Sequence, residues 1–390
     1  MAEVKKRVPK RRFKEFQDAE VWEERELREI ASRYDNLRVP ITASDRIAGK
    51  TPYYGANGIQ DYVEGFTHEG EFVLIAEDGA NDLKNYPVQY VNGKIWVNNH
   101  AHVLQTKENI ADNRFLKNVI SKADIEPYLV GGGRAKLNAE IMMGINIKLP
   151  SNLEEQQKIG SFFQNLDSQI TLQQRKLEKI KAMKKAYLSE MFPAAGQTKP
   201  KRRFKGFTED WVEMKLGELG SVSMCKRIFK AQTKPKGDVP FYKIGTFGSE
   251  TDAYISKELF EEYKAKFSYP KKGSILISAS GSIGRTVVFS GKDEYFQDSN
   301  IIWLEHNDRI IDPFLKHLYS IIKWSGVEGT TIKRLYNDNV LKTEIMLPSI
   351  EEQEKISSYF DNLDKQITLH QKKLSKLQDL KKAYLNEMFI

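Results

Sequence analysis

EEQQKIGSFFQNLDSQITLQQRKLEKIKAMKKAYLSEMF, residues 154–192, returns at residues 351–389 as EEQEKISSYFDNLDKQITLHQKKLSKLQDLKKAYLNEMF. The two stretches align without a gap and share about two-thirds of their positions, and a repeat of this length decides the architecture before any local reading does. Each follows a long mixed segment that opens alike. Pro9-Lys10-Arg11-Arg12-Phe13-Lys14 leads to Trp22, and Pro200-Lys201-Arg202-Arg203-Phe204-Lys205 leads to Trp211. The chain is therefore two half-units in tandem, each a globular module followed by a long helix.

Ile159, Phe163, Leu166, Ile170, Gln173, Leu177, Ile180, Lys184, Tyr187 and Met191 are spaced alternately by four and three, which is a heptad seam. Ile356, Phe360, Leu363, Ile367, His370, Leu374, Leu377, Lys381, Tyr384 and Met388 repeat it. Gln173 and His370 interrupt the apolar run at matching places, as residues that set register do. A seam on one helix cannot bury itself, so each copy is the expected partner of the other. A whole module of connecting chain lets them pair antiparallel, each ~60 Å long at 1.5 Å per residue. Ser151-x-x-Glu154 and Ser349-x-x-Glu352, each just after a proline, read as capping boxes, and Pro193 halts the first helix. The expected fold class is α+β: two mixed α/β modules separated by two long antiparallel coiled-coil helices in a pseudo-two-fold tandem repeat. The expected boundaries are 1–150 for the first module with its basic arm, 151–193 for the central helix, 194–348 for a linker and the second module, and 349–390 for the last helix.

Of the 390 residues, 29% are charged and 40% hydrophobic, ordinary values for a soluble protein with exposed helices. A net charge of +8 favours a polyanionic partner, though charge alone does not separate nucleic acid from an acidic protein or lipid surface. A single cysteine, Cys225, excludes an internal disulfide and a cysteine-based zinc site, so a reducing cytoplasm is the expected home. The basic N-terminus has no apolar run after it and no stretch approaches 18 apolar residues, so neither secretion nor membrane insertion is expected. The histidines, His68, His100, His102, His306, His317 and His370, form no metal-ligand spacing, and there is no nucleotide-binding P-loop.

In the first module Glu71–Ala76 and Lys94–Val97 read as strands; in the second, Ser274–Ser278 and Asn300–Leu304 do, with a short helix near Phe314 to Lys323. Residues 131–150 align without gaps to 329–348, so the modules share a framework and differ on the surface between. Lys50, Tyr53, Tyr54 and Asn57 combine a cation, two aromatics and an amide suited to backbone and base contacts, unless the tyrosines pack on the core. Pro240-Phe241-Tyr242-Lys243 stands at the comparable place, making Lys243 a candidate. Asn98, Asn99 and His100 join the first set. In the second module Ser280, Ser282 and Arg285 belong to Ser278-Ala279-Ser280-Gly281-Ser282-Ile283-Gly284-Arg285, a tight turn or a phosphate-contacting loop, matched in the first module by acidic Glu77-Asp78-Gly79-Ala80-Asn81. Arg134 and Lys136, with Lys333 and Arg334, sit by glycine-containing segments as phosphate-contact candidates, and Lys226, Arg227 and Asn300 complete the set. The arms Lys10–Arg12 and Lys201–Arg203 read equally as phosphate contacts or as plain linkers.

Two modules that each open on an Arg-Phe signal and a tryptophan, and each end in Leu-Pro before an EEQxKI…LD…QI…KKAYLxEMF helix, resemble the specificity subunit of a type I restriction-modification system. The resemblance covers essentially the whole chain. It implies two target recognition domains, each reading one half of a bipartite, asymmetric DNA site, with helices that space them and dock modification subunits. It further implies an assembly on double-stranded DNA with two modification subunits, bringing S-adenosylmethionine, and two restriction subunits, bringing ATP and magnesium. No cofactor and no catalysis are expected in this chain. The readings left open by the residues alone are a coiled-coil scaffold with two protein-binding modules, and an enzyme in its own right, whose catalytic set is not visible.

Overall fold

The computed structural model describes residues 8–131, 135–326 and 333–390. Both long helices form, Leu153–Glu190 and Ile350–Met388. Every seam position, from Ile159 to Met191 and from Ile356 to Met388, is buried or half-buried, including Gln173 and His370, while most residues between are exposed. The seven-residue period is thus the packing face of both helices. The start of the first helix departs from the pattern. Its cap is Asn152, whose Oδ1 accepts from the amides of Glu154 at 2.8 Å and Glu155 at 3.3 Å, not Ser151. In the second, Ser349 Oγ accepts from Glu352 at 3.3 Å. One extra residue after the proline in the first copy shifts its cap, so Glu155 corresponds to Glu352.

The chain divides into two compact units inside the long helices, at Arg175/Lys176 and His370/Gln371, so that the unit holding the first module also holds Gln371–Ile390. In that unit the strands are β1 (Ala31–Arg33), β2 (Ala48–Gly55), β3 (Gly58–Val63), β4 (His68–Ala76), β5 (Val88–Val97) and β6 (Ala101–Thr106). They form one sheet in the order β1-β6-β4-β5-β2-β3, antiparallel except where β2 runs parallel to β5. The strand Glu23–Glu26 pairs separately with Asn146–Leu149, and α1 (Asn113–Lys122), capped by Asp112, lies between the sheet and the first long helix. Trp22, only 1% exposed, meets Phe115 and Phe389 edge-on at 5.6 and 6.1 Å, and Phe389 reaches Phe163 at 5.6 Å. The end of the second long helix therefore completes the core that the start of the first one builds. The run is antiparallel, because Phe162 meets Tyr384 whereas Asp167, further along, meets Lys381, further back.

The second unit, Lys176–His370, builds the same closure with the roles of the helices exchanged. Phe192 stacks on Phe314 at 5.5 Å and meets Trp211 at 5.8 Å and Phe360 at 6.3 Å, and Tyr187 meets Tyr359. Besides Val212–Lys215, which pairs with Glu344–Leu347, its strands are β7 (Gly220–Ser223), β8 (Val239–Tyr242), β9 (Tyr254–Ile255), β10 (Ile275–Ser278), β11 (Thr286–Val288), β12 (Tyr295–Phe296) and β13 (Ile301–His306). They make a four-stranded sheet, β7-β13-β10-β11, and a three-stranded one, β9-β8-β12, with β8 parallel to β12. Where β5 runs unbroken in the first unit, the second turns at Gly291, whose φ of +85° suits glycine, and leaves two short strands in its place. The helix expected near 314–323 is α2 (Asp312–Leu318): Pro313 suits its first turn, and beyond Leu318 the Ser320 hydroxyl bonds the His317 carbonyl.

The arginines of the two basic arms are paired, not free cations. Arg12 donates twice to Glu155, each bond 2.6 Å, with both side chains buried, and Arg203 does the same to Glu352 at 2.7 Å. Arg11 pairs with Glu387 and Arg202 with Glu190 at the surface. A further matched set joins three elements in each unit: Lys117 and Lys381 hold Asp167 at 2.8 and 2.5 Å, while Lys316 and Lys184 hold Asp364 at 3.2 and 2.5 Å. Burial works against ionisation of both carboxylates, but the flanking ammoniums outweigh it and hold them below the ordinary range. Lys117 is held below the lysine range by burial, with Lys381 adding to it.

Glu155→Ala, which strands a buried guanidinium, is expected to cost about 3–5 kcal/mol, against about 0–1 kcal/mol for Glu387→Ala at the surface. Equal urea-midpoint shifts would contradict the assignment. A carboxylate lowered on folding stabilises above its ordinary value and ceases to as pH falls through the lowered one. Asp167→Asn should therefore destabilise at neutral pH, and its gap to the unaltered protein should close as pH falls from the ordinary carboxylate range through the lowered one. A gap of constant size in denaturation midpoints across that range would refute this.

Candidate nucleic-acid interface

Four segments meet at one edge of the first unit: the loop 77–81 leaving β4, residues 98–100 entering β6, the β2–β3 turn, and Lys136. Main-chain bonds set the frame. The Glu77 amide donates to His100 O at 2.9 Å, the Leu137 amide to Glu77 O at 2.7 Å, and Asp78 and Lys136 form an antiparallel bridge. Onto this frame Asn57 ties the loop, donating to Gly79 O at 2.9 Å and accepting from the Asn81 amide at 3.0 Å. Asn98, buried, accepts the His100 amide at 2.8 Å, and His100 Nδ1 meets Asp78 Oδ1 at 2.6 Å. Glu77 binds Arg38 at 2.6 Å and Lys136 at 2.9 Å; burial opposes its ionisation, but the two cations outweigh that and lower its carboxyl. Asn99 stands exposed beside them.

The second unit builds the same edge with other side chains. The Ala279 amide donates to Asn300 O at 2.8 Å, the Leu335 amide to Ala279 O at 2.8 Å, and Ser280 bridges Arg334. Position by position, Glu77 corresponds to Ala279, Asp78 to Ser280, His100 to Asn300 and Lys136 to Arg334. The side-chain pair recurs as well, with Ser280 Oγ donating to Asn300 Oδ1 at 2.7 Å. The glycine-rich run 278–285 is a closed turn. Ser278 and Arg285 bond through the Ser278 amide, the Gly284 amide returns to Ser278 O, and Gly281 and Gly284 take φ of +67° and +82°. The amides of Ser278, Ala279, Gly281, Ile283, Gly284 and Arg285 are all hydrogen-bonded within the protein, as the tight-turn reading requires, and Ser282 remains exposed on the turn. Arg285 leans over Phe247 and donates to Ile244 O at 2.8 Å, bringing the loop after β8 to the same edge.

Other expected contacts fall elsewhere. Tyr53 is 1% exposed, its hydroxyl at 3.2 Å from both Ile41 backbone atoms and its ring beneath Arg46, so it is core and not a base contact. The parallel pairing of β2 with β5 turns it inward, which the local sequence does not reveal. Tyr54 is half-buried, and Lys50 is exposed at the far end of β2 from Asn57. Lys226 lies over Phe267, Lys243 pairs with Asp252 at 2.7 Å, and Arg227 pairs with Asp298 at 2.9 Å, which places it beside Asn300. Lys333 and Arg334 are exposed; Arg134 lies outside the described residues. Sequence reading missed Arg38 and Asp35, which pin Glu77 and His102 from a distant segment, and Gln297, whose Oε1 accepts the Ile244 amide. No local signal marks any of them. The cluster Asp35, Glu77, His102 is occupied by Arg38, with both ring nitrogens of His102 bonded, and Lys316 sits against Asp361 and Asp364 beside His317.

The family described as type I restriction modification DNA specificity domain matches residues 19–182 and again 208–379. A Haemophilus influenzae protein named as a type I restriction enzyme specificity subunit is 47% identical over 341 residues, 87% of this chain and 86% of its own. A Methanocaldococcus jannaschii protein named as the MjaX specificity subunit is 26% identical over 46% of each chain. The solved structure of the S subunit of the M. genitalium type I restriction-modification system superposes with a TM-score of 0.69 over 98% of this chain and 99% of its own, at 16% identity, a likeness of fold.

Tyr53→Ala is expected to cost about 3–5 kcal/mol in a urea titration, as large core truncations do. A loss under about 1 kcal/mol accompanied by an altered DNA preference would return Tyr53 to the surface.

Proposed function

Since this chain belongs to the type I restriction-modification specificity-subunit family and carries its specificity domain twice, we propose that each domain reads one half of a bipartite, asymmetric duplex site. The observation that carries this reading is the pair of equivalent edges: one backbone frame, built twice, with unlike side chains at each matched position. Identical edges would suit a palindrome; unlike ones suit two different half-sites. Cations on the surface, within a net charge of +8, would supply the sequence-blind, salt-sensitive part of affinity. Polar groups on the edges, exposed Asn99 and Ser282 and half-buried His100 and Asn300 among them, would discriminate bases.

The long helices are assigned the spacing of the two domains and the docking of modification subunits. The assembly proposed is one such chain with two modification and two restriction subunits on DNA. S-adenosylmethionine, ATP and magnesium are assigned to those partners, and selection without catalysis to this chain. A cytoplasmic location goes with that role. Among the described residues no helix is long and apolar enough to cross a membrane. The family match favours this reading over a coiled-coil scaffold.

The test is to exchange residues 22–150 for the corresponding module of a different specificity subunit and map methylated adenines genome-wide in cells that also carry the modification subunit. One half of the methylated sequence should change and the other persist. A change in both halves, or methylation without a bipartite sequence, would defeat the proposal.

A further inference from the structure

The two edges differ in what their central side-chain pair leaves exposed. A carboxylate at Asp78 only accepts, so His100 donates from Nδ1 across the 2.6 Å contact, which in the neutral tautomer leaves the ring's lone pair on Nε2. In the second domain the buried Ser280 gives its hydroxyl proton to Asn300 Oδ1 at 2.7 Å, which turns the amide NH2, a donor, away from the pair. Among the described residues neither His100 Nε2 nor Asn300 Nδ2 has a hydrogen-bond partner, and the His100 side chain is 36% exposed. The main-chain carbonyls of both residues accept from the equivalent amides of Glu77 and Ala279, so the two side chains leave the frame at the same point.

We infer that His100 and Asn300 are the same reading position in the two domains, with opposite hydrogen-bond polarity. His100 accepts from the exocyclic amine of adenine or cytosine; Asn300 donates to a groove acceptor, N7 or O6 of guanine, N7 of adenine or O4 of thymine. Asp78 and Ser280 are positioning residues that set each polarity by choosing which atom of the reader is occupied. The inference rests on the edges being the DNA-reading faces.

The experiment uses the full chain with its modification subunit and reads the methylated-adenine motif genome-wide. The double variant S280D/N300H installs the first domain's pair in the second. At one position of the second half-site the preferred base should change from one offering an acceptor to one offering an amine, by about 10-fold, with the first half-site unchanged. The single variants N300A and H100A, which leave the partner side chains and the backbone frame in place, should each relax preference about 10-fold at one position of their own half only. If both half-sites keep their full preference in these single variants, the inference is overturned. The same holds if a single variant abolishes methylation at every site, since that marks a structural pin and not a reader. Should S280D/N300H alone abolish methylation, the single variants decide. A motif without two half-sites in the unaltered chain would defeat the underlying DNA-reading proposal instead, and is seen separately.

Discussion

A helix with an apolar stripe has to be covered, and here each long helix ends in a phenylalanine that finds its cover in the other half of the repeat. Phe389 closes on Trp22, Phe115 and Phe163, and Phe192 on Trp211, Phe314 and Phe360. Burying each such ring contributes roughly 1.5–3 kcal/mol, and each edge-on or offset aromatic pair about 0.5–1.5 kcal/mol beyond that. The indole nitrogens of Trp22 and Trp211 have no hydrogen-bond partner among the described residues, a cost of about 1–3 kcal/mol each that the aromatic packing offsets. Because the closing residue comes from the far copy, neither module's core is complete with only its own helix.

The ionic contacts around these closures act differently. A buried arginine–glutamate pair adds little net stability over an apolar replacement, yet leaving either partner alone is expensive. Arg12 with Glu155, and Arg203 with Glu352, therefore fix how the start of each module meets the start of its helix more than they hold it there. The lysine–aspartate–lysine sets do the same for the module helix and the incoming helix end. Much of the positive charge that points toward a polyanion is in this way already matched inside the protein, and Lys136, Lys243 and Arg227 are matched at the modules.

With closure handled by repeated residues, the edges are free to differ. One frame of two main-chain bonds and one bridge carries Asp78 and His100 in one unit and Ser280 and Asn300 in the other. The frame uses backbone groups, so side chains change without moving it. The sheets tolerate more: a ten-residue strand in the first unit is answered by two short strands and a turn at Gly291 in the second, without loss of the edge.

What the linear chain determines here is whatever depends on spacing: the tandem repeat, the helices, their seam down to Gln173 and His370, and the need for an antiparallel partner. Period and repeat are local properties, and burial follows them position by position. The cap at Asn152 was one residue off because an inserted residue is invisible to a motif. The matched edges could be reached only in part. Asn57, His100, Ser280, Asn300 and Arg334 were legible as polar candidates on turn-rich segments, but their pairing was not, and Tyr53 was misplaced. Tertiary structure alone decided those points, because Asp78 meets His100, and Ser280 meets Asn300, across about twenty residues of chain, and which lone pair or proton each side chain is left with depends on that distant partner.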